Sequence, residues 1–258
     1  MNTPQRQQFS AALAAACPRR PQRTTRRVVS MLAVAGLGSV ALAACVEAPE
    51  HTAAHSAQPP APSSAQPAPP PPKYDISRVD NLKDSFPPGF KTDPHPAKTL
   101  EQQDIDNSGI MPFTQAQFDP PQCRALVIPP YVDATVGTQA AGVRGQADQG
   151  EIYIVAMRLT KPTPAGPPPA GCEQVSMSGA SQATGTAEAI PAPNIEGATT
   201  TGVKLSPADT DEDPDYEFTV ALDDQTSIVV MGSTAEQLNP QQVMSDLLVK
   251  AASAVRGQ

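Results

Sequence analysis

Three sets of side chains in this 258-residue chain could do chemistry: four cysteines, three histidines, and a run of carboxylates between Asp209 and Glu217. A serine hydrolase needs a histidine base held by an orienting carboxylate. His51 and His55 stand in a proline-rich stretch, which leaves His95, within Asp93-Pro94-His95-Pro96, for the part that can fold. Its flanking prolines predict a surface turn rather than a buried base. Ser178-Gly179-Ala180-Ser181 lacks the spacing of a G-x-S-x-G nucleophile elbow. Asp209, Asp211, Asp213 and Asp215, with Glu212 and Glu217, alternate like the ligands of a calcium loop. Pro214 stands where such a loop needs glycine and Val220 where it needs glutamate, so a solvated acidic loop is expected, with weak calcium binding as the alternative. With 26 acidic residues some pair will meet glycosidase spacing by chance, so their number carries no argument. Zinc-ligand spacings, phosphate-cradling glycine loops and dinucleotide fingerprints are missing from the sequence, so no catalytic residue, metal ligand or cofactor is assigned.

The cysteines are more informative. The first 44 residues hold six arginines, Arg6, Arg19, Arg20, Arg23, Arg26 and Arg27, and no acidic residue. Val28 to Ala44 is then apolar, with small residues toward its end, the pattern of an export signal. It closes on Leu42-Ala43-Ala44-Cys45, which resembles the bacterial lipobox. That resemblance implies a diacylglyceryl group on Cys45, cleavage just before it, and a chain held by lipid on the outer face of the cell membrane. The competing reading is an uncleaved membrane-spanning helix, because 17 apolar residues sit at the short limit for crossing a bilayer core. Thr25-Arg26-Arg27-Val28-Val29 also looks like a twin-arginine export motif, although arginines precede ordinary secretory signals too. Cys17 falls in the leader, which leaves Cys123 and Cys172. In an oxidising compartment two leftover cysteines read as one disulfide. A metal or catalytic thiol is the alternative, with no histidine or third cysteine near either in sequence.

Charge narrows the partners. Without residues 1–44 the chain keeps 12 basic against 26 acidic residues, a net charge of −14. Such a surface repels nucleic acid and anionic lipid head groups, so membrane contact is expected through the Cys45 anchor alone.

These residues must be positioned by a chain with three parts: the signal at 1–44, a tether at 45–73, and one exported domain at 74–258. Val46 to Pro72 is nearly all Ala, Pro, Ser and Gln and cannot build a core. As polyproline II it would reach roughly 80 Å. In the domain, Asp75 can cap a short helix carrying Ile76, Val79, Leu82 and Phe86, stopped by Phe86-Pro87-Pro88-Gly89-Phe90. Asp119-Pro120-Pro121 predicts a second short helix with Cys123 in its first turn. Ile152 to Leu159 reads as a central strand, with Val136 to Arg144 its hairpin partner across a Gly145 to Gln149 turn. Glu173 to Ser178 and Thr199 to Leu205 have the polar alternation of edge strands. Tyr216, Phe218, Val220 and Leu222 alternate with polar residues, and Asp223-Asp224-Gln225 turns that strand into Ile228 to Met231. Asn239 can cap, and Pro240 can begin, a closing helix with Val243, Leu247, Ala251 and Val255 on one stripe. The expected fold is α+β: a mainly antiparallel sheet with N-terminal and C-terminal helices packed on it and one disulfide.

The anchor, the proline-rich tether, the Pro-Pro-Gly-Phe turn, the Asp-Pro-Pro-x-Cys segment and the final hairpin plus helix together resemble a group of uncharacterised mycobacterial lipoproteins. The layout of residues 74 to 258 is also similar to the extracellular sensor domain of PknH-type receptor kinases, although with one candidate disulfide where that pattern has two. The resemblance implies a sensor-like or other non-enzymatic binding or accessory role in the cell envelope. Two alternatives stand beside it: a hydrolase working through carboxylates, and a carrier with an apolar ligand between sheet and helix.

Overall fold

In the computed structural model the described residues are 73–107, 115–128, 132, 134–163, 166–179, 184–208 and 213–258. Cys45, the signal and the tether up to Pro72 lie outside them, as do Asp209, Asp211 and Glu212.

Nine strands form one sheet in the order β1-β3-β4-β9-β8-β7-β6-β5-β2, every neighbouring pair antiparallel. Its middle is built from long apolar strands, β3 (Gln139–Ala147), β4 (Gly150–Arg158), β8 (Asp215–Ala221) and β9 (Thr226–Thr234). The expected central strand and the β8–β9 hairpin are both present. Asp223 closes that hairpin, its Oδ1 accepting from the backbone N–H of Gln225 at 3.0 Å and of Thr226 at 2.6 Å. Glu217 and Thr219 are buried as well as Phe218 and Val220, so β8 is covered on both faces where alternation alone predicts one.

Four readings of the sequence need correction. The β3–β4 turn is only Asp148-Gln149, because Gly145 continues β3 opposite Ile152. That glycine admits the Phe86 ring: a Cβ would stand 2.3 Å from the ring edge. Glycine here signals close packing, not a turn. The stretch around His95 is strand β1 (Lys91–Thr99), not a surface turn. Proline is tolerated in it because β1 is the sheet's edge, with a register shift between His95 and Lys98. β5 (Gln174–Ser178) and β7 (Thr199–Pro207) are interior strands rather than edges, flanking the unanticipated β6 (Gly185–Ala189), while three-residue β2 (Gln117–Asp119) is the other border. Finally, Asn239 makes no side-chain cap. Its φ of 50° is the left-handed conformation that asparagine tolerates, and it ends a 3-10 turn before Pro240 starts the helix.

The first helix is a 3-10 helix over Ile76–Asp84, capped by Asp75. Ile76, Val79 and Leu82 recur every third residue, which matches three residues per turn and puts all three on one buried side. They share an apolar cluster with Ile154 of β4, Val230 of β9, Phe218 of β8, and Met244, Leu247 and Leu248 of the closing helix Pro240–Arg256. Phe86 and Phe90 pack against that cluster, 6.5 Å apart. Strand register places Val175, Ala187 and Val203 on the opposite face of the sheet, where they join a second cluster with Cys123, Leu126 and Cys172. A third, around Leu100, Val155 and Val229, lies on that face too.

Candidate functional site

The only cysteines of the described residues are joined. Cys123 and Cys172 form a disulfide with Cα atoms 5.3 Å apart, both residues buried. Cys123 ends a 3-10 turn, Pro121–Cys123, entered through a cis Asp119-Pro120 bond, as the Asp-Pro-Pro segment predicts in outline. Its partner closes the proline-rich excursion after β4. Both sulfurs sit among apolar side chains, so the pair is a structural staple.

His95 is brought into an electrostatic cluster that the sequence did not indicate. Its Nε2 lies 3.9 Å from Asp93 Oδ2, too far for a hydrogen bond, and is buried without a hydrogen-bond partner among the described residues. Oδ1 of Asp80, on the first 3-10 helix, is buried in the same state. Burial pushes the imidazole below its ordinary value, Asp93 and Asp80 acting against it and Arg144 and Lys98 with it. Burial likewise raises Asp80, with His95 opposing. The charged groups that act on His95 are Asp93, Arg144, Asp80 and Lys98, so it sits within a charge network.

Beside it the β1–β3–β4 register aligns Asp93, Arg144 and Tyr153 across one face, with Lys91, Gln146 and Glu151 in the next row. Arg144 does not turn to Asp93 opposite. It pairs with Glu151 through Nε and Nη2 and lies over the Tyr153 ring, 5.7 Å from its centre. Burial works against the charged guanidinium, and Tyr153 and Glu151 more than offset it. Arg144 also borders an open cavity of about 450 Å³ lined by Gly89, Lys91, Asp93, Gln146 and Asp148 among others. A smaller cavity, about 200 Å³, opens between the start of the first 3-10 helix and β1, beside Arg158. Arg158 spends one amino group on the Tyr74 carbonyl at 3.3 Å.

Glu217 is the other side chain that strand alternation hides. It was grouped with the acidic loop by sequence, yet it points to the second face between Val203 and Met231 of the neighbouring strands. Burial raises its carboxyl to about 8, with the Thr219 hydroxyl, 3.5 Å away, as an opposing donor. A carboxyl buried there, with its neutral form favoured, is a poor calcium ligand. Of the other carboxylates in that run, Asp215 opens β8 and Asp213 accepts from Ser233 Oγ through its carbonyl at 3.3 Å. Among the described residues no three His, Cys, Asp or Glu side chains gather as metal ligands.

A family model described as a domain of unknown function, DUF5642, matches residues 75–256. The chain belongs to this family. Its match spans the domain from the Asp75 cap to the end of the closing helix and stops short of the tether. Among solved structures, this DUF5642 chain is similar to an uncharacterised protein of Mycobacterium smegmatis, the Rv0999 ortholog, at 20% identity and a TM-score of 0.54, over 72% of this chain and 98% of that one. At that identity the likeness extends to the fold alone. No curated protein matches the sequence.

Proposed function

We propose that this DUF5642 protein is an exported lipoprotein, anchored through Cys45 on the outer face of the cell membrane, that presents a non-enzymatic binding domain to the cell envelope. The observation that carries the reading is how the cysteines are divided. One stands at the end of an apolar export signal, where acylation would take it, and the two in the folded domain are joined in a disulfide, a bond that persists in oxidising compartments. Support for a binding role comes from the charge cluster around Arg144, whose guanidinium Glu151 and Tyr153 hold in place. The resemblance of the sequence layout to receptor-kinase sensor domains favours the same role by analogy.

Replacing Cys45 with alanine tests the anchor. The expected result is loss of the protein from the membrane fraction with the domain still folded, read by fractionation and by an unchanged thermal transition of the Cys45→Ala chain. Retention in the membrane at the unprocessed mass would overturn the lipid anchor in favour of a signal-anchor helix.

A further inference from the structure

We infer that the cavity of about 450 Å³ at the β1–β3 end of the sheet is a binding site for a compact zwitterion, a molecule carrying a carboxylate and an ammonium on one small skeleton, such as a free amino acid or a very short peptide. Two cations and two carboxylates line it: Lys91 and Arg144, Asp93 and Asp148.

Register sets their arrangement. Lys91 stands directly opposite the neutral Gln146 and Asp93 directly opposite Arg144, so Asp93 lies between two cations, one along its own strand and one across from it, and Asp148 follows in the next turn. Neighbours on opposed strands stand about 5 Å apart, close enough for salt bridges. Those bridges are not made. Arg144 is drawn away by Glu151 and Tyr153, and Asp93 makes no ion pair with Arg144 or Lys91. Among the described residues Lys91 and Asp148 have no ion-pair partner. Lys91 and Asp148 therefore face one cavity uncommitted, with Asp93, whose ion-pair contact is the 3.9 Å approach of His95, and a guanidinium whose orientation is held by groups outside the cavity.

This is complementary to a ligand with both signs. An isolated anion would meet Asp93 and Asp148, and an isolated cation would meet Lys91 and Arg144. A zwitterion can place its carboxylate at Lys91 and Arg144 and its ammonium at the two aspartates. The partly buried Arg144–Glu151–Tyr153 arrangement supplies the preorganisation that such recognition needs, because the guanidinium does not have to be ordered when ligand arrives. This ligand class rests on the reading of the domain as a binding module.

The test is a titration of the ¹⁵N-labelled full chain, following the backbone signals of Lys91, Asp93, Arg144 and Asp148. Alanine and dialanine are the probes that separate a free amino acid from a short peptide, and acetate, N-acetylalanine and alanine amide are the controls that each lack one charge. Saturable shifts at those four residues are expected with alanine or dialanine, and about tenfold weaker binding with every control. Lys91→Gln and Asp148→Asn, at exposed positions that support no packing, should each weaken the zwitterion about tenfold while leaving the thermal transition in place. Arg144→Gln should abolish the shifts. Equal response to acetate or to alanine amide would overturn the zwitterion and leave a different ligand for the same domain. Silence of all four residues toward every probe would remove the cavity as a site, and the Cys45 anchor would stand or fall by its own experiment.

Discussion

β4, β9 and β8 bury Ile154, Val230 and Phe218 on one face of the sheet, in a cluster that includes the closing helix, whereas β5, β6 and β7 bury Val175, Ala187 and Val203 on the other face, in a cluster that includes Cys123 and Cys172. The first cluster draws on a 17-residue helix and a nine-residue 3-10 helix. Among the described residues the second draws on the short turns Pro121–Cys123 and Arg124–Val127. Helical cover of that length can be held by apolar area alone, while two turns nucleate poorly and contribute little buried surface. A covalent bond across 49 residues compensates, because it restricts the unfolded chain instead of adding to the folded contacts. The same sheet is thus stabilised by burial at one end and by a staple at the other.

Breaking the staple is the strongest test of that contrast. Cys123→Ser with Cys172→Ser should cost about 4 kcal/mol in denaturant unfolding, and hydrogen exchange should accelerate in β5 and β6 while β4 and β9 keep their protection. Equal acceleration in both would mean that the halves open as one unit. On the other side, Leu248→Ala removes a fully buried side chain from the helix-bearing cluster and should cost about 3 kcal/mol, with β8 and β9 losing protection first.

Glu217 stands where the two halves meet on the second face, with Val203 in the stapled cluster on one side and Met231, packed against the third cluster, on the other. Burial pushes its carboxyl up to about 8 in the folded state, from an ordinary glutamate value of 4.5, so between these the folded state holds a proton that the unfolded chain has released. Stability is therefore undiminished below pH 4.5, falls as pH rises from there to about 8, and is flat beyond. Glu217→Gln removes the ionisation and should stabilise the domain by a few kcal/mol at pH 8 and by little at pH 4. Thermal unfolding of the two proteins across that range reads the effect, and parallel curves would show that the carboxyl is not sealed. The smallest effect belongs to the β8–β9 turn: Asp223→Ala loses two backbone-to-carboxylate hydrogen bonds and should cost about 1 kcal/mol, confined to the hairpin.

Legibility followed how local the cause was. β4, the β8–β9 hairpin and the closing helix are visible in periodicity because each buries a continuous apolar stripe. β1 is not, since Pro94 and Pro96 argue against a strand anywhere but at an edge, and edge position is a property of the assembled sheet. β5 and β7 read as edges because their outward positions, such as Gln174, Ser176 and Thr200, are polar. Those positions lie on the half of the sheet whose buried side is the other one, so polarity there marks an uncovered face and not a border. For the candidate site, His95 was visible as a residue but not as part of a cluster. Asp80 comes from the first 3-10 helix and Arg144 from β3, and only strand pairing aligns Asp93, Arg144 and Tyr153. Glu217 looked like one more member of an acidic loop because sequence records neighbours along the chain, and its burial comes from strands on either side.

Sequence alone determined the excess of acidic over basic residues and made Cys123 and Cys172 the candidate pair, and it carries the expectation of an export signal ending at Cys45 and of a tether before the domain, since each depends on composition or on simple elimination. Tertiary structure decided which face of each strand is covered, which edges are exposed, and which charges meet without pairing. Those are outcomes of register and of packing between elements far apart in the chain. No residue's type contains them.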